Sequence, residues 1–372
     1  MNLVWFGIVV FVAYIIFMLY MLFHLRKISL SDFPSQNNLQ NQISVIVAVR
    51  NEEKNISVFI QHLLNQTYPY FELIVVNDNS NDNTARMVQS FNDARIRWYQ
   101  PNKPVKGKKE SLKAALEIVT SEWIVFSDAD VVLSKDWLWS YAQKIKKCKY
   151  DFIMAPVMMT STTQNFLSLF QQMDFASMQY VSLASAHAGI PFMCNGANMA
   201  IKKRTALTLY QKIDTTIASG DDVFLLHAFL QEKKGEVELN LNQGAVVETS
   251  VASTWKEFIN QRLRWASKAK YYKNHTAIFV SLLIYISNLF LMVAFIFSCI
   301  YFPYVFWLFL IFWLIKMIMD FLLFHTGKRV FLLPAAWKLY FPLVSFIYFW
   351  YVSIIGFFSI FTPIKWKKRR WK

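Results

Sequence analysis

Two aspartates stand two positions apart where an apolar segment of the sequence ends. Asp128 and Asp130 directly follow WIVF at 123–126, a segment typical of a buried strand. Two carboxylates in one loop can share a divalent cation, and a diphosphate can supply the remaining oxygen ligands. A DxD triplet alone is a weak signal, but its place at a strand end strengthens it. We therefore regard both residues as candidate metal ligands.

A second acidic pair, Asp221 and Asp222, precedes a segment predicted to be a helix at 223–231. Aspartate is favoured at a helix N-cap and in the first turn, so helix capping explains one of the two residues. The other could remove a proton from a hydroxyl group that lies within about 3 Å. Both interpretations stay open on the residues alone.

Two further positions also have a structural and a functional interpretation. Asp78 in VVNDNS either closes a turn after a strand or accepts hydrogen bonds from a base or ribose. Lys108 and Lys109 follow Gly107 without the GxxxxGK[ST] spacing of a phosphate-binding loop. They either begin a basic surface helix or point toward phosphates.

QRLRW at 261–265 is the most distinctive short segment. It lies in a basic amphipathic stretch at 255–272, which favours a helix that rests against lipid headgroups. An arginine there could also neutralise a departing diphosphate, because its guanidinium is a fixed charge with two-pronged hydrogen bonding.

The elements that must position these residues alternate between strands and helices. Apolar runs predict strands at 43–49, 73–76, 96–99, 123–126 and 151–156, and helices are expected at 52–66, 84–91, 107–120 and 165–185. This order is typical of a parallel sheet with helices on both faces. Right-handed crossovers bring the loops after the strands to one edge, where Glu52, Asp78, Asp128 and Asp130 would form a polar crevice.

The composition is that of a membrane protein. Hydrophobic residues make up 55% and charged residues 17% of the chain, whereas about a quarter of a soluble chain is charged. This excludes a disordered protein, a collagen-like fibre and an ordinary cytosolic enzyme. The formal net charge of +15 then indicates the positive-inside bias of membrane proteins rather than nucleic-acid binding. Three scattered cysteines form neither a disulfide framework nor a zinc site.

Charge-free runs predict the membrane spans. We expect an uncleaved anchor at 1–25, because the positive charges follow its apolar run. Residues 276–364 carry two further spans with a turn at Pro303, and the second span contains Lys316 and Asp320. This pair is either a structural contact or functional, and we favour the structural contact.

The number of apolar runs does not agree with the number of membrane crossings that the charge distribution requires. A cytoplasmic domain at 43–250, joined through an interfacial helix at 251–275, and a basic cytoplasmic tail at 365–372 require an even number of C-terminal crossings, but three apolar runs are present. Either 331–364, broken by Pro334 and Pro342, is a re-entrant or interfacial element, or the tail lies outside. We favour the first alternative.

Taken together, these segments resemble family 2 glycosyltransferases, in particular the membrane-bound group that includes polysaccharide synthases and ceramide glucosyltransferases. The matching segments occur in family order: SVIVAVRNEEKNI, VVNDNSNDNT, GKKESLKAAL, FSDAD, GDD and QRLRW. The resemblance covers about 45–270 and the flanking spans. It implies an α/β GT-A fold (Rossmann-like, with a mostly parallel sheet) and transmembrane helices at both ends. It also implies a nucleotide-diphospho-sugar donor, usually UDP-linked, Mg²⁺ or Mn²⁺ as cofactor, and inversion at the anomeric carbon.

The resemblance also implies roles for individual residues. On the donor side, Glu52 and Asp78 hold the nucleotide, Asp128 lies near the ribose or metal, and Asp130 binds the metal, with Lys108 or Lys109 as weaker assignments. On the catalytic side, the resemblance points to Asp222 as general base and to Gln261, Arg264 and Trp265 beside the diphosphate and acceptor. Gly220 and Asp221 stand where the synthases have Thr-Glu, so the choice between Asp221 and Asp222 stays open.

The small number of spans favours transfer to a membrane lipid or lipid-linked acceptor. We expect an integral protein of a bacterial inner membrane with its catalytic domain in the cytoplasm. A processive polysaccharide synthase is the nearest alternative, and a non-catalytic, nucleotide-binding transport subunit is a second one. Nucleic acid is not an expected partner.

Overall fold

The structure, a computed structural model, describes residues 2–32, 39–102, 105, 107–214, 220–232, 236–301, 304–362, 365–366 and 369–370. Ser219, Pro303 and parts of the predicted linker and tail lie outside the described residues. The chain divides into two compact units, which are treated separately below. The membrane-helix unit comprises 1–29, 161–190 and 251–364, and the sheet unit comprises 30–160, 191–250 and 365–372.

The described helices are, in chain order, α1 Asn2–Leu25, α2 Ile56–Leu64, α3 Thr84–Gln89, α4 Lys108–Leu116, α5 Trp137–Lys147, α6 Phe166–His187, α7 Lys203–Tyr210, α8 Asp221–Gln231, α9 Trp255–Ala266, α10 His275–Ile300, α11 Tyr304–Gly327 and α12 Trp337–Phe361. Short 3₁₀ helices cover Gln243–Ala245 and Ser267–Tyr271. The strands are β1 Ile43–Val49, β2 Phe71–Asn77, β3 Ile96–Tyr99, β4 Trp123–Phe126, β5 Val131–Leu133, β6 Phe152–Met154, β7 Val157–Thr160, β8 Met199–Lys202, β9 Glu238–Leu239, β10 Val247–Ser250, β11 Lys365–Trp366 and β12 Arg369–Arg370.

The sheet unit is built on a seven-stranded sheet in the order β3-β2-β1-β4-β8-β6-β9. Strands β3, β2, β1 and β4 are parallel, whereas β8 runs antiparallel to both of its neighbours. The predicted α/β class with a mostly parallel sheet is confirmed. β2 is buried along its whole length, as expected of a parallel strand with helices on both faces.

A second, three-stranded sheet was not predicted. β10 lies in its centre and pairs antiparallel with β5 and parallel with β7. The expected strand at 151–156 is in fact divided: β6 ends at Met154, and β7 begins at Val157 in this other sheet. Pro156 lies between them and cannot donate a ladder hydrogen bond, which accounts for the change of sheet at this point.

The membrane-helix unit contains four helices that are long and apolar enough to cross a membrane: Val4–Leu25, His275–Ile300, Val305–Gly327 and Trp337–Phe361. The break that we expected at Pro342 is absent, because α12 is a continuous helix of 25 residues with Pro342 inside it. The proline falls in the second turn, where its missing N–H affects only the first turn of the helix. Pro334 precedes the helix.

Charged residues inside this unit are paired with one another. Lys316 is 3% exposed and forms an ion pair with Asp320, one turn further along α11. The hydroxyl of Tyr14, on α1, donates a hydrogen bond to the same carboxylate. The pair is therefore compensated within the helix bundle, as the structural interpretation requires.

The predicted amphipathic helix at 255–272 is present but changes type. α9 is an α-helix to Ala266 and continues as a 3₁₀ helix over Ser267–Tyr271. Its start is capped by Thr254, whose side chain accepts a hydrogen bond from the N–H of Glu257. Trp255 and Ile259 are among its exposed large apolar side chains, whereas Phe258 is buried.

Candidate donor and catalytic site

The carboxyl ends of β1 and β2 lie side by side in the sheet and bring their loops together. Asp78 follows β2, and its N–H donates to the carbonyl of Val49 at the end of β1 (2.8 Å). The Asp78 side chain is 1% exposed and accepts a hydrogen bond from the N–H of Gly107 (3.1 Å), directly before α4. The acid is thus fixed between the sheet edge and the start of a helix.

Glu52 lies in the loop at the same edge. Its N–H donates to the hydroxyl of Thr84 (2.8 Å), and its carboxylate accepts from the side chain of Asn55 (2.9 Å). The adjacent Asn51 and, after β2, Asn79 have φ angles of 53° and 54°. Asparagine tolerates this left-handed conformation better than most residues, so both loops can turn sharply after their strands.

Lys108 connects two of the predicted acidic sites. Its Nζ lies 2.7 Å from Oδ1 of Asp128 and 3.0 Å from Oδ2 of Asp221. Burial opposes the charged form of this lysine, but the neighbouring carboxylates of Asp128 and Asp221 outweigh it and raise the pKa of Lys108 well above its usual value. The ammonium therefore stays charged, and it joins the end of β4 to the start of α8.

Lys109 points elsewhere. Its Nζ donates to the carbonyl of Asp214 (3.1 Å) and lies 4.5 Å from the centre of the Phe224 ring. The residue is 3% exposed, so it is not the surface lysine that one interpretation of the sequence expected. Lys108, by contrast, forms ion pairs with two carboxylates of the acidic cluster.

The two acids at the start of α8 differ in their surroundings. Gly220 precedes them in a left-handed conformation (φ 84°, ψ 28°), which glycine adopts without strain. Asp221 is buried against Lys108. Asp222 is half-buried, and its carboxylate accepts from the N–H of Val223 (2.8 Å) and from the N–H of Gly196 (3.2 Å).

The carboxylates after β4 suit a cation that keeps open coordination positions. The side chain of Asp128 is 37% exposed, and Asp130 is exposed. Among the described residues no group of three or more His, Cys, Asp or Glu side chains could hold a metal ion. Mg²⁺ accepts two carboxylate oxygens as protein ligands when substrate and water supply its remaining ligands. The residues present therefore fit a divalent cation that binds together with a diphosphate.

The structure adds a turn that the sequence analysis did not identify as part of the site. Gly196 contacts Asp222, and Asn198 is 1% exposed and binds four partners in the sheet unit. The available signal was an Asn-Gly pair inside an apolar segment of a chain with only 9 glycines. That signal indicates a turn, but not which side chains the turn meets.

The QRLRW residues belong to the membrane-helix unit. Gln261, Arg264 and Trp265 are half-buried and, at positions i, i+3 and i+4 of α9, share one face of the helix. Arg262, between them, is 3% exposed and donates through Nε to Oδ2 of Asp174 on α6 (2.6 Å). It also contacts two of the motif residues, as its Nη1 donates to Gln261 (2.7 Å) and its guanidinium lies 4.2 Å from the centre of the Trp265 ring.

Comparison with known proteins identifies the domain. Residues 44–209 match the family described as Glycosyl transferase family 2. The chain carries a family 2 glycosyltransferase domain. The match begins inside β1 and ends inside α7, so it contains the strand ends with Asp78, Asp128 and Asp130 but not the acidic pair of α8.

Named proteins similar to this chain are bacterial enzymes. The poly-beta-1,6-N-acetyl-D-glucosamine synthase of Staphylococcus epidermidis is 25% identical over 227 residues, which is 60% of this chain and 53% of that protein. The UDP-Glc:alpha-D-GlcNAc-diphosphoundecaprenol beta-1,3-glucosyltransferase WfgD of Escherichia coli is 38% identical over 88 residues, which is 24% of this chain and 34% of that protein. The alignments thus span about half or less of these relatives.

A solved structure supports the fold. A mannosyltransferase from Pyrobaculum calidifontis, PcManGT, in complex with GDP-Man and Mn²⁺, is 15% identical with a TM-score of 0.54. The superposition covers 96% of this chain and 99% of the mannosyltransferase. At this level of identity the similarity shows a shared GT-A architecture, as the sequence predicted.

Proposed function

We propose that this protein transfers a sugar from a nucleotide-diphospho-sugar to a hydroxyl group of a membrane lipid or lipid-linked acceptor, with inversion at the anomeric carbon. The observation that carries the proposal is the cluster in which Lys108 joins Asp128 to Asp221, with Asp222 next in the chain. One edge of the sheet thereby unites a candidate diphosphate site with a candidate base.

The donor site uses the strand ends. Asp78 and Glu52 bind the nucleoside, and Lys108 faces the diphosphate once a donor enters between the carboxylates. Asp128 and Asp130 would hold a divalent cation, Mg²⁺ or Mn²⁺. When bound, this cation neutralises part of the negative charge on the departing diphosphate. The cation bound in the Pyrobaculum enzyme is Mn²⁺, which makes Mn²⁺ the first to test.

Asp222 is the general base. It takes the proton from the acceptor hydroxyl, whose oxygen forms a bond to the anomeric carbon while the bond from that carbon to the diphosphate breaks. Asp221 is less suited to this role, because its carboxylate is already engaged by the Lys108 ammonium. A single displacement of this kind inverts the anomeric configuration and needs no covalent intermediate.

For Gln261, Arg264 and Trp265 the proposal keeps the roles that the resemblance to family 2 glycosyltransferases implies. Arg264 supplies a permanent positive charge for the diphosphate that leaves with the nucleoside. Gln261 and Trp265, which share its helix face, contact the acceptor. Their position at the end of α9, shortly before α10, suits an acceptor that is held in a membrane.

The acceptor is a lipid or lipid-linked sugar. The proposal is supported by the four apolar helices and by the lipid-linked acceptor in the name of the Escherichia coli relative. We place the protein in a bacterial inner membrane with the domain in the cytoplasm, because Arg26 and Lys27 follow the first apolar helix.

A processive polysaccharide synthase is the second candidate function. It is favoured by the longer alignment, which relates 227 residues to a poly-beta-1,6-N-acetyl-D-glucosamine synthase. The two functions differ in their product. Addition of one sugar to an extracted lipid supports the first, whereas a polymer whose length grows with time supports the second.

The test is release of nucleoside diphosphate by the full-length protein in detergent. The assay supplies a panel of UDP- and GDP-sugars with bacterial lipid extract, and either Mn²⁺ or EDTA. We expect metal-dependent release that lipid increases and that Asp130→Ala and Asp222→Asn abolish. Asp93→Asn is a matched control, because Asp93 forms only a partly exposed ion pair with Arg95. Binding of a nucleotide without release from any donor would contradict the catalytic proposal and favour the nucleotide-binding transport subunit.

A further inference from the structure

We propose that the turn at 195–198 is a positioning element for the general base, and that Gly196 is the residue through which it acts. The inference rests on the proposed function, which makes Asp222 the base. It concerns a residue outside both acidic pairs and outside QRLRW.

The first observation is a hydrogen bond from the turn to the base. The Gly196 N–H donates to Oδ2 of Asp222 (3.2 Å), while the Val223 N–H donates to Oδ1 (2.8 Å). Each carboxylate oxygen is therefore held by one backbone amide, which fixes the plane of the carboxylate.

The second observation is that a Cβ at 196 would lie tightly against the two acids of the site. A Cβ added to Gly196 would lie 3.2 Å from Cβ of Asp222, 3.3 Å from Oδ2 of Asp221 and 3.5 Å from Nζ of Lys108. The described glycines with positive φ are Gly107, Gly189 and Gly220, so backbone conformation is not the reason for a glycine at 196. The reason is its close approach to three side chains of the site.

The third observation is that the turn cannot retreat. Asn198 uses its full hydrogen-bonding capacity: Oδ1 accepts from Trp137 and Tyr141 (both 2.9 Å), and Nδ2 donates to the carbonyls of Pro156 and Ala245 (both 2.7 Å). An added methyl group at 196 must therefore displace the acids rather than the turn.

The turn is also tied to the donor side. The hydroxyl of Ser127 donates to the carbonyl of Ala197 (3.2 Å), and Ser127 directly precedes Asp128 in the chain. The turn at 195–198 thus contacts both the end of β4 and the start of α8. This arrangement sets the distance between the donor carboxylates and the base.

The experiment compares Gly196→Ala with the wild type in the release assay, with kcat, donor KM and the pH profile measured separately. We expect kcat to fall roughly 10- to 100-fold, since a small misplacement of a reacting group has a cost of this order. Donor KM should change less than threefold. The hydrogen bond from the Gly196 N–H stabilises the charged form of the Asp222 carboxylate. Loss of this hydrogen bond should therefore move the acid limb of the kcat profile to higher pH.

Several ionisable groups act on Asp222 besides the turn. They include Asp221 and His227 on α8, Lys108 on α4 and Tyr210 on α7, and the substitution alters the chemical identity of none of them. A shifted acid limb would therefore report the changed surroundings of the base. A purely structural role for Gly196 would lower thermal stability without moving this limb.

Two further variants keep the test decisive. Ser127→Ala removes one anchor of the turn, and should lower kcat several-fold with the same direction of shift even if Gly196→Ala does not fold. Gly189→Ala controls for lost stability, because its φ of 75° strains an alanine while no atom lies within 4 Å of the added Cβ. If the wild type is active and both test variants have its kcat and its acid limb, the inference about the turn is overturned while the proposed function stands. A wild type that releases no nucleotide would overturn the proposed function and the base assignment with it.

Discussion

Adjacent lysines at the start of α4 have different contacts, and we expect them to have different effects on activity. Lys108→Gln removes the charge shared by Asp128 and Asp221, and we expect donor kcat/KM to fall by roughly 10- to 100-fold, the range of a hydrogen bond to a charged group. Lys109→Gln should instead lower thermal stability and leave kcat/KM within threefold, because Lys109 contacts Asp214 and Phe224. Equal effects of the two substitutions on kcat/KM would contradict the assignment.

The acidic pair of α8 offers a second comparison of neighbours. Asp222→Asn should lower kcat by about 10²- to 10⁴-fold, because the asparagine amide cannot take the proton from the acceptor hydroxyl. Asp221→Asn should act mainly on donor KM, since it leaves Lys108 with one carboxylate partner instead of two. Steady-state kinetics at several pH values separate the two effects. A larger loss of kcat in Asp221→Asn would assign the base to Asp221.

At the scale of single residues, the sequence could supply residue types and their spacing, but not the direction in which each side chain points. Lys108 and Lys109 are consecutive on a helix, so their side chains point about 100° apart, and only the packing decides which one meets the acids. Gly196 escaped notice for a related reason. Its role depends on the space beside Asp222, which lies far from it in the sequence.

At the scale of elements, the strands of the parallel part of the large sheet were predictable and those of the second sheet were not. β1 and β4 have the predicted bounds, because buried parallel strands appear in the sequence as continuous apolar runs with clear ends. β5, β7 and β10 have three or four residues, and each has an exposed or half-buried position, so their apolar pattern is weak. Their pairing joins Val247 to Leu133 and to Val157, which precede it by 114 and 90 positions, and no local signal specifies such pairing.

The packing of α9 against α6 depends on a buried ion pair that can be tested by stepwise replacement. Arg262 and Asp174 have side-chain exposures of 3% and 4%, and Tyr351 also donates to Asp174 (3.3 Å). Asp174→Ala leaves an uncompensated buried charge, so we expect a loss of about 3–5 kcal/mol in the free energy of unfolding. Thermal unfolding in detergent measures this loss.

The matched variant is the double replacement Arg262→Met with Asp174→Leu. Stability should recover, because well-packed apolar residues can replace a buried ion pair. Activity should stay low, because Gln261 and Trp265 lose their contacts with the guanidinium. Recovery of both stability and activity would mean that the pair only holds the helices together.

The course of α12 bears on the molecule as a whole, since it decides on which side of the membrane the tail lies. Phe166 and Phe170 on α6 contact Tyr340 and Tyr351 on α12, with ring centres 6.2 Å and 5.3 Å apart. α12 also packs against α10, where the rings of Phe295 and Trp350 lie 5.8 Å apart. Because α10 and α12 are both among the four helices long and apolar enough to cross, this packing fits a full crossing, whereas the basic tail favours an even number of crossings.

We expect the basic tail at 365–372 on the cytoplasmic side, where the positive-inside rule places basic segments. A fluorescent protein fused after Lys372 should be fluorescent in bacterial cells, and alkaline phosphatase at the same place should be inactive. Fusions after Ile300 and after Gly327 serve as controls. Opposite reporter results are expected at these two positions, because the predicted span α11 separates them. Active phosphatase after Lys372 would mean that α12 crosses completely, and that three C-terminal crossings place the tail opposite the domain.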